Sequence, residues 1–457
     1  MKKALVFSVL LIVAASVAAC GGAEEEQPEG SATPATGPVE INFWHSEQAS
    51  NLDTIQGLAR RFNSEQNEVK VNMAFQGNDE ETVLKFMASL GSGDVPAIIY
   101  LAEVDAQRVM DSGAARPVQE FIDREDYDLS DFDEKAIQYY TVDGQLHGMP
   151  FSIAVPLLYY NKVSFREVGL DPEQPPRDLD EVREISQKLV KRDSHGNILR
   201  AGIALDIDPW YFELILAEHG DLYVNNSNGR EGRATEVLFD GPTGQAFFRW
   251  WHDMIKDGLA LNVGRNPGGD AALLAMGVGQ AAMSFASSQA LRSVVDVLER
   301  GGLDVELGVV GQPGVPGGTG LPGVYSRGLW ILKGRPEAEQ EAAWKFVKWL
   351  LEPEQQAEWY AGTGLLPVRL SAYDLPSAQN VLAEYPHFAV PVDLVLETPS
   401  TLESLGPLLG PIRDVREVIR TAIEETVVGS KDPIEALDDA TAKANDIIED
   451  YNRRVGE

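Results

Sequence analysis

The chain has 457 residues, with 71 acidic side chains against 38 Lys plus Arg, a formal charge of −33, and a single cysteine. Acids outnumber bases along nearly the whole length, so there is no basic stripe to neutralise phosphates, which excludes nucleic acid and anionic bilayers as partners held by charge. At 44% hydrophobic the chain can bury a core of two or three domain-sized units, while one cysteine permits neither an internal disulfide nor a thiolate metal site.

Lys2 and Lys3 precede an apolar run from Ala4 to Ala19, broken only by Ser8 and Ser16, that ends Val17-Ala18-Ala19-Cys20. A charged start, an apolar stretch and small residues at its end predict a cleaved leader over 1–19, too short for a membrane span. The junction resembles the bacterial lipobox, which implies that Cys20 is diacylated and becomes the mature N-terminus. The alternative is a plain signal peptide with an incidental cysteine. Cleavage there removes two lysines and no acid, so the anchor must come from lipid and not from charge. Residues 20–38 carry no large apolar side chain and read as a flexible tether.

The folded body starts near Val39. Val39–Phe43 alternates apolar and polar residues, and Leu52, Ile55, Leu58, Ala59 and Phe62 then fall on one helical face. Val69–Met73 alternates again. A second helix follows around Val83, Leu84, Met87 and Leu90, halted by Gly91-Ser92-Gly93, and Pro96–Leu101 is an unbroken apolar run of the kind a doubly covered parallel strand shows. Strand and helix alternating at this spacing predict an α/β unit with a parallel sheet, whose ligands sit beyond the carboxyl ends of the strands. A second unit begins near Gly144–Phe151 with a strong strand at Pro156–Asn161. Helices are predicted over 178–192, 211–219, 243–258 and 269–277, a strand at Ala282–Ala286, and a helix at Gln289–Leu298 opened by Ser287 and Ser288. Gly308–Gly323, rich in Gly and Pro, reads as a connector; Gly328–Leu332 is a strand, and the rest is largely helical. No repeat of 20–50 residues occurs, which excludes solenoids and propellers.

Chemistry leaves no signature. His45, His147, His195, His219, His252 and His387 lack the spacing of a helical zinc site. Neither a nucleophile elbow nor a phosphate-binding P-loop is present, and carboxylates are too numerous for a glycosidase pair to stand out. No cofactor is expected.

Phe43-Trp44-His45-Ser46, Arg60-Arg61-Phe62-Asn63, Pro96-Ala97-Ile98-Ile99-Tyr100 and Leu157-Leu158-Tyr159-Tyr160-Asn161-Lys162, followed by Val168–Pro176, resemble family 1 extracellular solute-binding proteins of ABC importers. Met283–Ser288, Gly328-Leu329-Trp330, Thr363–Arg369 with Ala372-Tyr373-Asp374, and Asp432–Leu437 continue the likeness in family order over roughly 39–457. Glycerol-3-phosphate binders resemble it most, with maltose- and trehalose-type binders as cousins.

The resemblance implies a two-lobe α/β fold of the periplasmic-binding-protein type II class, with lobes joined by crossing hinge segments and the ligand cleft between them. Lobe one would take 39–150 with 328–371, and lobe two 151–327 with 372–457. Crossings would lie near Phe151–Val155 and Val324–Gly328, with the helices after about Ala372 on lobe two.

The resemblance also nominates cleft residues. Trp44 and His45 end the first strand. Asp79 stands where the glycerophosphate binders carry a tyrosine, which argues against the same phosphate pose. Glu103 matches a carboxylate that accepts from ligand hydroxyls, and Trp210 an aromatic platform for sugar CH faces. Ser287 and Ser288 match a Ser-Ser pair at a helix start. Tyr325, Ser326 and Arg327 replace a Gly-rich turn, with Arg327 able to restore a cation, and Arg413 matches a pocket arginine. The alternatives are packing under the loop for Trp44, a solvated loop acid for Glu103, core packing for Trp210 and a simple N-cap for Ser287 and Ser288. The implied function is a monomeric, lipid-anchored binder, not an enzyme, that hands a carbohydrate or glycerol-phosphate-type solute to ABC permease subunits. A secreted α/β hydrolase on glycosides or phosphodiesters, and a surface adhesion or sensor protein, are the alternatives.

Overall fold

A computed structural model describes residues 37–265, 271–300, 305–323 and 325–456. The leader 1–19, Cys20, the tether up to residue 36, and Val324 lie outside the described residues. In chain order the principal strands are β1 (Val39–His45), β2 (Val69–Phe75), β3 (Ile98–Ala102), β4 (Met149–Ala154), β5 (Pro156–Asn161), β6 (Ile198–Asp206), β7 (Ala260–Gly264), β8 (Ala281–Ser287), β9 (Leu307–Gly311), β10 (Tyr325–Leu332) and β11 (Leu366–Pro367). They form two sheets, ordered β11-β4-β10-β3-β1-β2 and β7-β6-β8-β5-β9. One lobe surrounds each sheet, the two-lobe α/β arrangement that the resemblance implies.

The first sheet is parallel only through β2, β1 and β3. β10 enters antiparallel between β3 and β4, so the sheet is mixed where the spacing predicts a parallel one. The cause is topological, because the chain returns from the second sheet and enters the first from the opposite end. Each residue of β3 is buried, as its unbroken apolar run requires. The helix Ala49–Glu65 buries Ile55, Leu58, Ala59 and Phe62 as expected, but the helix Asp79–Ser92 buries Val83 and Phe86 and leaves Leu84 exposed.

Two strands of the second sheet escape the apolar pattern. β6, its longest, reads Ile-Leu-Arg-Ala-Gly-Ile-Ala-Leu-Asp, a run diluted by small residues. They are small because two helices lie close: a Cβ on Gly202 would come within 2.3 Å of Ser186 Cβ on the helix Leu179–Leu189, and Ala201 and Ala204 cluster with Ala272 and Ala275 of the helix Ala271–Gly277. β9 occupies the start of the predicted connector, and its Gly308 packs on the Tyr160 ring, where a Cβ would fall 2.2 Å from Cζ.

Val155 alone separates β4 of the first sheet from β5 of the second. Its N–H donates to Ser288 Oγ at 3.2 Å, and the Ser288 N–H donates to its carbonyl at 2.9 Å. The return path from Gly311 to Tyr325 is held on the helix Pro209–His219 by Glu218, which accepts from the Gly320 N–H at 3.2 Å. At Gly314 a Cβ would sit 1.4 Å from Glu218 Oε2, so glycine is required there. The helices after Ala372 divide between the cores. Ala378, Phe388, Val392 and Val395 join the first core through Tyr360, whereas Ile412–Val427 and Pro433–Val455 pack on the second.

Candidate ligand cleft

The carboxyl ends of β1 and β3 deliver His45-Ser46-Glu47 and Glu103-Val104-Asp105 to one edge of the first sheet, where parallel strands present ligand-binding loops. Because β10 runs antiparallel, its opening residues reach the same edge, with Arg327 registered against Ala102. The helix Asp79–Ser92 begins there too, its first turn fixed by an Asn78–Glu81 capping box.

Arg327 organises this corner. Its Nη1 donates to Asp79 Oδ2 at 3.1 Å and its Nη2 to Asp79 Oδ1 at 2.7 Å and to Ser46 Oγ at 2.6 Å. Ser46 in turn donates to Asp79. The guanidinium lies 4.7 Å from the Tyr100 ring centroid, and its Nε faces Glu47 Oε1 at 3.5 Å. Burial pushes the Asp79 carboxyl up, but Arg327 and the Ser46 bond outweigh it and hold the carboxyl below its ordinary value. Glu47 goes the other way: burial raises it despite Arg327. His45 is buried, accepts the Glu47 N–H on Nδ1 at 3.2 Å, and is pushed down to about 4 by burial and then by Arg327. It is therefore neutral and structural in position, while Trp44 half-packs on the first core.

Further along, Arg413 opens the helix Ile412–Val427 and grips Asp105 with two bonds of 2.6 Å. Asp105 follows β3 and Arg413 packs with the second core, so this pair crosses between lobes. Arg416, one turn on, holds Glu213 at 2.7 and 2.6 Å. Burial opposes its charge, yet Glu213 keeps it well above its usual range.

Glu103 lies between these groups, 7% exposed, with Oε2 lacking any hydrogen-bond partner. Burial pushes it up to about 8, partly offset by Arg416. Trp210, held by the Asp208 cap, is half-buried and meets the Tyr325 ring edge-on at 5.8 Å. Tyr325 packs against both cores. Ser326 is buried and donates to Tyr140 at 3.2 Å.

Trp210, Glu103, Asp79, Tyr325, Arg327 and Arg413 thus share one interlobe region. Ser287 is partly exposed and accepts from the Gln289 N–H, whereas the Ser288 hydroxyl is spent on Val155. Glu47, Asp105, Glu213 and Arg416 were not legible as cleft groups. The spacing of Arg413 and Arg416, three apart on one helical face, was the available signal for the last. Two surface grooves, of about 380 and 110 Å³, include no residue of this cluster. No described helix is long and apolar enough to cross a membrane.

Known proteins agree with this architecture. Residues 57–390 match the family described as bacterial extracellular solute-binding protein. The sn-glycerol-3-phosphate-binding periplasmic protein UgpB of Pectobacterium atrosepticum is 30% identical over 423 residues, 91% of this chain and 92% of its own length. Among solved structures, UgpB from Mycobacterium tuberculosis in complex with glycerophosphocholine superposes with a TM-score of 0.76 at 20% identity, covering 91% of this chain and all of its own. The cyclic alpha-maltosyl-1,6-maltose binding protein from Arthrobacter globiformis gives 0.72 at 22% identity, covering 91% and 100%. Sequence match and fold converge, and the chain belongs to the bacterial extracellular solute-binding protein family.

Proposed function

We propose that the protein is the extracytoplasmic binding component of an ABC importer, tethered through a lipid on Cys20, that captures a carbohydrate or glycerol-phosphate-type solute and passes it to the permease. The observation that carries this reading is Glu103: a buried carboxyl with a free acceptor atom, close enough to Tyr325 to act on its hydroxyl, at the meeting of the lobes, with Tyr325 in turn met edge-on by Trp210. Aromatic faces suit the CH surface of a sugar, and a lone carboxyl oxygen suits its hydroxyls. Trp44 and Ser287 complete the proposed contacts, and His45, Ser288 and Ser326 support them from behind.

Binding works by closure and makes or breaks no covalent bond. A closed cleft touches solute from both lobes, so solute shifts the population toward it. The sheets favour a first lobe that runs to Ala154, with crossings at Val155 and between Gly311 and Tyr325. The named relatives bind glycerol-3-phosphate, glycerophosphocholine or a maltose-type sugar, which sets the range of solutes to test. A thermal-shift panel of mono- and oligosaccharides, glycerol-3-phosphate and glycerophosphodiesters tests the reading. A true solute at 100 times its Kd stabilises by about 2.7 kcal/mol. No response across the panel, or turnover of a glycoside or phosphodiester by the pure protein, contradicts it.

A further inference from the structure

The Arg327 guanidinium has the fork geometry that receives a phosphate or carboxylate through two parallel N–H bonds, and that seat is occupied. Asp79 takes both bonds. The other sides are closed: Ser46 accepts from Nη2, Tyr100 covers one face, and buried Glu47 faces Nε. Glu47 Oε1 and Arg327 Nε are both buried without a hydrogen-bond partner, so the guanidinium is drawn toward Asp79 and away from its second carboxylate. Of the two acids, Asp79 alone reaches solvent, with its side chain 33% exposed against 3% for Glu47.

We infer that Asp79 is a built-in counter-ion that closes the anion seat on Arg327 and makes the cleft select a neutral polyhydroxylated solute over a phosphate- or carboxylate-bearing one. The inference rests on the cleft being the solute site, as proposed above. An incoming anion would have to displace Asp79, leaving two carboxylates and its own charge around one cation. The other two arginines of the cleft offer no substitute seat, because Arg413 and Arg416 are each held by a carboxylate through two bonds. A neutral diol meets no such barrier. Asp79 Oδ1 accepts from Ser46 and Arg327, but Oδ2 accepts from Arg327 only, which leaves a lone pair for a solute hydroxyl with the ion pair intact.

The test is a calorimetric titration of wild type, D79N and D79N/R327M with inorganic phosphate and glycerol-3-phosphate at one ionic strength, beside a neutral sugar that responds in the panel. Wild type is expected to bind the sugar and neither anion. D79N should bind both anions at least about tenfold more tightly than wild type, and the double variant should lose that gain. Wild type binding glycerol-3-phosphate as tightly as D79N, or folded D79N binding neither anion, overturns the inference. Should D79N not fold, D79S is read in the same way, and the wild-type anion titration stands by itself. Because the phosphate arms need no cognate solute, a failed sugar panel with a D79N gain would count against the proposed carbohydrate and not against the role of Asp79.

Discussion

Two arginine clusters face the same cleft and are built differently. The Arg327 corner draws Ser46, Glu47, Asp79 and Tyr100 from the strands of the first sheet and the loop and helix start beside them, so it stays assembled whether the lobes are apart or together. The Arg413 row instead joins the lobes: Arg413 reaches Asp105 across the gap, with Arg108–Asp414 and Arg233–Asp111 continuing the line, while Arg416 stays paired with Glu213 inside the second lobe. A cluster confined to one lobe can set which solute fits, because its geometry precedes binding. A cluster shared between lobes can set how often they meet, because its bonds exist only when they do.

The largest expected loss is that of R416M, which acts inside the second lobe and leaves the interlobe bonds in place. It strands Glu213 as a buried, unpaired carboxylate, at a cost of about 3–5 kcal/mol. The melting temperature should fall steeply; a fall no larger than that of a surface substitution would show the pair to be dispensable. W210A removes the ring that touches Tyr325 and should weaken sugar binding by about 1–2 kcal/mol, roughly five- to thirtyfold, with the melting temperature nearly unchanged. Unchanged affinity would remove Trp210 from the solute contacts.

D105N sharpens the contrast directly. It weakens a bidentate bond between lobes at a cost of about 1 kcal/mol, and the ligand-free protein should become more open by small-angle scattering, while D79N leaves the scattering curve as it is. Equal effects would erase the distinction between the clusters.

A separate effect lies in the pH profile. Glu103, at about 8 in the folded protein, holds a proton that the unfolded chain releases near its ordinary value of 4.5. Its contribution to stability is therefore complete at low pH and is lost as pH rises from about 4.5 through 8. E103Q cannot ionise and should gain on wild type across that window. His45 has the opposite sign. Its value of about 4 lies below the ordinary 6.5, so the unfolded chain binds the extra proton and stability is lost as pH falls from about 6.5 through 4. A melting profile of E103Q that parallels wild type from pH 5 to 8 would mean that Glu103 is not buried as described.

Much of the scaffold was legible because core burial writes periodicity into sequence: β1, β5 and the helix Ala49–Glu65 were each announced by their apolar spacing. β6 was not, because Ala201, Gly202 and Ala204 answer to two helices pressed against them and carry little strand signal. The cleft was legible in its members and not in its pairing. Asp79 and Arg327 stand 248 positions apart, and sequence shows neither that an acid has found a base nor which base it has found. That pairing changes the meaning of both residues, from a repelling acid and a free cation to one neutralised unit.

Closure is the claim on which the rest depends, and it is measured most directly as a distance. Spin labels on S92C and S194C, exposed positions on the first and second lobes, with Cys20 replaced by serine, report the interlobe spacing by double electron–electron resonance. A responding sugar at saturation should shorten and narrow that distribution. A distribution that does not move, in a protein shown by calorimetry to be saturated, would contradict binding by closure.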